Sequence, residues 1–159
     1  MSEDPVMIRI TAAIEQLHSG DRAGAQRAFA ELWSEMGDAP DPFHVCILSH
    51  YMADTQDDVR YELEWDLRAL VAAGLVSDER TKKHHASLAI KSFYPSLYLN
   101  VADAYFRLRE FENARQNLQK AQSGLQYLPD SPLAGMIRGG VERLAHKLGI
   151  SMAERTPLG

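Results

Sequence analysis

Strong signals of chemistry are scarce in this sequence. It contains one cysteine, so no internal disulfide can form and a reducing compartment is expected. Cys46 lies in the apolar run Phe43-His44-Val45-Cys46-Ile47-Leu48, the setting of an inert core thiol and not of a nucleophile. No apolar run approaches the ~20 residues of a membrane span, and the opening MSEDPV lacks the basic and apolar blocks of a signal peptide. The expectation is a cytoplasmic protein with no membrane attachment. Lys and Arg number 17 against 22 Asp and Glu, a net charge of −5. That balance argues against a nucleic-acid partner, which calls for a basic face to neutralise phosphates. The densest basic stretch holds only Arg80, Lys82 and Lys83.

Catalytic signatures are missing as well. There is no Gly-x-Ser-x-Gly, no His-Glu-x-x-His, and no sustained alternation to build a strand that would carry such chemistry. Gly139 and Gly140 sit inside a helical stripe, so they serve close packing and not phosphate binding. A non-enzymatic chain without a cofactor is expected.

What is present is helical periodicity from end to end. Apolar residues make up 45% and charged residues 25%, ordinary for a globular protein of one domain, placed at 1–150 with a frayed tail at 151–159. Asp4 and Pro5 open a first helix with Val6, Ile10, Ala13, Ile14 and Leu17 on one face, and Ser19-Gly20-Asp21 ends it. A second helix carries Ala25, Phe29, Leu32 and Trp33. A third, behind Asp41 and Pro42, is apolar nearly all round, the mark of a buried helix. The fourth runs from Asp58 to Ala73 and Gly74, with Val59, Leu63, Leu67, Leu70 and Val71 facing inward and Tyr61 and Trp65 on a second face. A fifth is expected at 77–92, with a break at Phe93-Tyr94-Pro95 because the residue before proline avoids helical geometry. Asp130-Ser131-Pro132 starts a last helix bearing Leu133, Met136, Ile137, Val141, Leu144 and Leu148.

The stretch 95–129 is the most patterned. Tyr98, Val101, Tyr105 and Leu108 mark one helical face, then Phe111, Ala114, Leu118, Ala121 and Leu125 mark another, with a turn near Arg109 and Glu110. Ala102 and Ala114 are small where two helices would touch. This order of Tyr98, Val101, Ala102, Tyr105, Ala114, Leu118, Ala121 and Pro129 resembles a tetratricopeptide repeat. Tyr98 replaces the usual Trp, Ala102 replaces Gly, and Pro129 comes three residues late, so the second helix should run about a turn longer. Small-or-apolar then large pairs at Ala25/Phe29, Leu63/Leu67 and Ala114/Leu118 repeat the motif. The first spacing is close to the ~34 residues of one unit, and the second leaves room for an inserted helix. The phrases around Trp65, His84, Phe93 and Met136 together resemble uncharacterised bacterial tetratricopeptide-like proteins.

The resemblance implies an all-α solenoid of helical hairpins with one inserted helix and a C-terminal capping helix. It also implies a scaffold that binds a protein or peptide in a concave groove. Once Tyr98, Val101, Ala102 and Tyr105 are committed to packing, the opposite face of the 95–108 helix presents Leu99, Asn100, Asp103, Phe106 and Arg107. These are the candidate groove residues, with packing on the inserted fifth helix as the alternative for Leu99 and Phe106. Asn100 matches a family position whose amide can grip a peptide backbone through donor and acceptor. With only Arg107 basic on this helix, an internal, partly apolar ligand segment is expected in preference to an acidic tail.

A rival reading joins polar residues into a site for a metal or small polar ligand. His50 and Asp54 are four apart on the third helix, His85 could approach from the fifth, and Asp58 lies nearby. Trp65, His85 and Arg138 are a further candidate convergence. Against a metal stand the absent Cys pairs and the ready role of Asp57 and Asp58 as helix caps, so no bound metal is expected. A third reading is an oligomerisation or regulatory subunit anchored by Trp33, Tyr61 or Trp65, with homo-oligomers as one form of it.

Overall fold

The computed structural model describes residues 4–79 and 84–150, the side chains of 77–79 and 84–90 excepted. Among the described residues are seven α-helices and no strand. They are α1 (Pro5–His18), α2 (Arg22–Glu35), α3 (Pro42–Ala53), α4 (Val59–Glu79), α5 (His84–Arg107), α6 (Phe111–Gly124) and α7 (Pro132–Lys147). The all-α expectation holds. Its local basis is capping. Asp4 accepts the backbone N–H groups of Val6 and Met7, Asp21 that of Gly24, Asp41 that of Phe43, and Ser131 that of Ala134. Each satisfies a donor that the first turn leaves without a partner, worth about 1 kcal/mol.

The chain divides into two compact units, Met1–Ala86 and Ser87–Gly159. In the first, α1 packs on α2 and α3 on α4, while α3 also touches α1 and α2. Ile10, Phe29, Leu32, Leu48 and Met52 form the core. As its nearly uniform apolarity predicts, α3 buries Val45, Cys46, Leu48, Ser49, His50 and Met52 around its circumference. Burial pushes the Cys46 thiol up to about 12. Trp65 meets Trp33 edge-on with 5.2 Å between ring centroids, and the Arg68 guanidinium lies 4.3 Å from the Trp65 centroid. Trp65 thus widens the core, whereas Tyr61 is exposed. Arg22, at the start of α2, donates to the carbonyls of Asp54 and Gln56 and pairs with the Asp57 carboxylate, tying the first hairpin to the loop of the second.

In the second unit α5, α6 and α7 share one core of Ala102, Ala114, Leu118, Ala121, Val141, Leu144 and Leu148. The turn between α5 and α6 places Arg109 at φ 65°, a left-handed residue at the helix end. The second helix itself is not the longer one that the late proline suggested: α6 ends at Gly124, and a 3-10 turn, Leu125–Tyr127, carries the chain on before Pro129.

Two boundaries correct the sequence reading. Gly74 does not end α4, which continues to Glu79. A helical glycine costs about 1 kcal/mol relative to alanine, and the buried Ala69, Ala72, Ala73 and Val76 around it offset that. These residues and Asp66 form the buried face of α4, whereas Leu67 and Val71, expected to face inward, are exposed. Nor does the chain break at Pro95. The expected helix at 77–92 is no separate element, because residues 84–92 open α5, which runs through the proline to Arg107. Pro95 removes the N–H that would reach the Lys91 carbonyl, a cost of about 3 kcal/mol in a helix interior. Its ring is fully buried, however, and packs on Gly124 of α6, where an added Cβ would stand 2.9 Å from Pro95 Cγ. Residues 80–83 and the tail expected at 151–159 lie outside the described residues.

Two substitutions test this packing by chemical denaturation. Ala114→Leu should overpack the fully buried contact between α6 and its neighbours and cost about 1–3 kcal/mol. Gly124→Ala should also destabilise, although alanine is intrinsically the better helix former by about 1 kcal/mol, because a rigid proline ring cannot retreat. A stabilised Gly124→Ala protein would place Pro95 elsewhere.

Candidate functional site

Three of the five groove candidates line one cleft. Leu99, Asn100 and Asp103 of α5 face Gly140, Arg143, Leu144 and Lys147 of α7 across about 220 Å³. The floor is set by Gly140, since an added Cβ would stand 2.8 Å from Leu99 Cδ2, so Leu99 lies directly on the α7 backbone. Leu99 is therefore both a half-buried core contact and a cleft wall. Asp103 accepts from Arg107 Nε at 2.9 Å, one turn along α5, so the two charges offset each other at the rim. Phe106 turns toward the α5–α6 connection, its ring centroid 5.5 Å from that of Phe111, with Lys147 Nζ 5.9 Å away. It is a packing residue of the second core.

The part that the sequence reading missed is the wall from α7. Arg143 and Lys147 give the cleft two cations that the 95–108 stretch alone does not supply. Their spacing of four was visible in the sequence, but which helix would face α5 was not.

The polar candidates of the rival reading serve separate local tasks. His50 is buried within α3 against Tyr51, and burial holds its pKa down at about 4, so the ring is neutral at pH 7. Asp54 is the C-cap of α3 with its own surface open to water. The packed protein around it still withdraws enough solvent to push its carboxyl up to about 6; Glu62 adds to the rise, while His18 and Arg22 oppose it. Asp58 accepts from the backbone N–H of Arg60 at 2.9 Å and pairs with its guanidinium, as a cap does. Trp65 is held by Trp33 and Arg68 in the first unit. Arg138, in the second, donates to the Leu125 carbonyl at 3.0 Å and closes the 3-10 turn. The side chain of His85 lies outside the described residues. Among the described residues no three His, Cys, Asp or Glu side chains gather as a metal would require.

A second cleft, of about 250 Å³ and mostly apolar, lies in the first unit between Trp33, Pro40, Pro42, Val45, Val71 and Leu75. No described helix is long and apolar enough to cross a membrane. Comparison with known protein families, curated proteins and solved structures gives no match for the chain.

The two shifted groups predict an unusual acid response. His50 takes its proton only near pH 4 when folded but near 6.5 when unfolded, so its contribution to stability falls as pH drops from 6.5 toward 4. Over the two units from pH 6.5 to 4.5 this amounts to about 2–3 kcal/mol. Asp54 acts in the opposite sense, because its raised pKa lets the native state bind the proton first as pH falls through 6. Denaturant titrations at pH 6.5 and 4.5 should show a steeper acid loss in Asp54→Asn and a shallower one in His50→Phe. The same slope in all three proteins would mean that neither group titrates in this window.

Proposed function

We propose that this protein is a non-enzymatic protein–protein interaction module. In this reading it is a tetratricopeptide-like solenoid in which α7 caps the last hairpin and a partner peptide or helix lies along α5. The observation that carries the reading is the cleft of Leu99, Asn100 and Asp103, which is open to solvent, part apolar and part polar, and lined from two helices. Such a surface suits a side chain or short segment held by shape and a few hydrogen bonds. Further support comes from the repeat-like order of Tyr98, Val101, Ala102, Tyr105, Ala114, Leu118 and Ala121, whose small members lie fully buried between helices. The single unoxidised Cys46 and the acidic balance favour a cytoplasmic setting and a protein ligand in preference to nucleic acid.

The test is affinity capture from cell extract, compared between wild type and Asn100→Ala by quantitative mass spectrometry. A partner using this cleft should be retained at least fivefold less by Asn100→Ala, the equivalent of about 1 kcal/mol, while circular dichroism shows both proteins folded. Capture that does not differ between the two proteins would remove the cleft from the reading. Phe106→Ala serves as the contrast, since its ring packs on Phe111. It should lower the melting temperature more than it lowers binding.

A further inference from the structure

Helix α7 carries two seams. Ala134, Ile137, Val141, Leu144 and Leu148 step by threes and fours along its buried side. Leu133, Met136, Gly140, Arg143 and Lys147 repeat the same steps one residue earlier, so the two seams lie about 100° apart around the helix. The core of the unit takes in the first seam, and Leu99 of α5 covers Gly140 of the other. On the second, Leu133 is 62% and Met136 71% exposed, although both are large and apolar.

Steps of three and four are the spacing with which one helix receives another. This seam is also polarised. Its N-terminal end is apolar, its middle is a glycine already covered by Leu99 of α5, and its C-terminal end holds two cations. Among the described residues neither Arg143 nor Lys147 has a carboxylate in salt-bridge range, in a chain whose net charge is −5. The acid in the cleft, Asp103, is already paired with Arg107. A simpler role exists for Lys147, which lies in the last turn, where a cation complements the helix dipole. It does not extend to Arg143, one turn earlier, whose Nη1 folds back to 3.1 Å from where a Cβ would stand on Gly139. Side chains at 139 and 140 would crowd both the guanidinium and Leu99.

We propose that the outer seam of α7 seats an amphipathic helix of a partner protein, apolar where it meets Leu133 and Met136 and acidic where it meets Arg143 and Lys147. The assignment rests on the reading of the chain as an interaction module. It adds the face, the ligand's secondary structure and the sign of its charge. It also replaces the expectation of a ligand without acidic character, which considered the basic residues of one helix alone.

The probes are two synthetic 18-residue helical peptides with the same leucine seam, one carrying Glu and the other Lys at the flanking positions of one end. Fluorescence anisotropy with the full chain at low ionic strength should give at least tenfold tighter binding of the Glu peptide, a ratio that shrinks as salt is added. Arg143→Glu combined with Lys147→Glu should invert the preference, and Met136→Glu should weaken both peptides. Equal binding of the two peptides, binding of neither at about millimolar concentration, or an unchanged preference in the charge-reversed protein would each overturn the assignment. So would loss of the Glu peptide in Val71→Glu, which alters only the apolar cleft of the first unit. A concentration-dependent dimer of the protein alone, abolished by Met136→Glu in sedimentation, would give the seam to a second copy and overturn it too. None of these outcomes bears on the Asn100→Ala capture, so the acidic helix can fail while the interaction reading stands.

Discussion

Close approach of helix backbones at small side chains is the constraint on which the second unit depends. Ala102, Ala114 and Ala121 are fully buried where α5, α6 and α7 meet. Gly124 yields to the ring of Pro95, and Gly140 yields to Leu99. Each contact brings two backbones nearer than a larger side chain would allow, and the longer apolar residues Leu118, Val141 and Leu144 fill the space between. The same approach creates the cleft. With α7 held against α5 at Gly140, Arg143 and Lys147 line the cleft opposite Asn100 and Asp103. Packing and candidate binding surface follow from one choice of residue size.

Much of this was legible from the sequence, for local reasons. Asp4, Asp21, Asp41 and Ser131 act on donors two or three residues away, so helix starts can be read without knowing the fold. The near-uniform apolarity of α3 foretold its central place. The failures were all tertiary. Pro95 reads locally as a break because the residue that accommodates it, Gly124, is most of a hairpin away along the chain. Gly74 reads locally as a stop because the burial of its neighbours cannot be seen in the sequence. On the face opposite Tyr98 and Tyr105, Leu99 is covered by α7 and Phe106 turns back to Phe111 of the same hairpin, neither of which the sequence alone shows. That covering decides which of Leu99, Asn100, Asp103, Phe106 and Arg107 line the cleft.

The histidine and aspartate candidates show why residue type alone misleads. His50 and Asp54 have the spacing of ligands on one helical turn. The fold sends His50 into the interior as a neutral ring and leaves Asp54 at the mouth of the helix, where Glu62 repels its charge and Arg22 and His18 attract it. Burial sets opposite protonation tendencies on two groups a turn apart. Asp58 takes the capping role that its place before a helix favours.

The lone thiol of Cys46 has a use outside binding altogether. It is fully buried on α3, the helix that touches every other helix of the first unit, and its environment suppresses the reactive thiolate. A thiol reagent can reach it only when that unit opens, so the labelling rate times the opening of residues 1–86 alone. The unmodified chain therefore carries a chemical reporter that distinguishes the breathing of its first unit from that of its second.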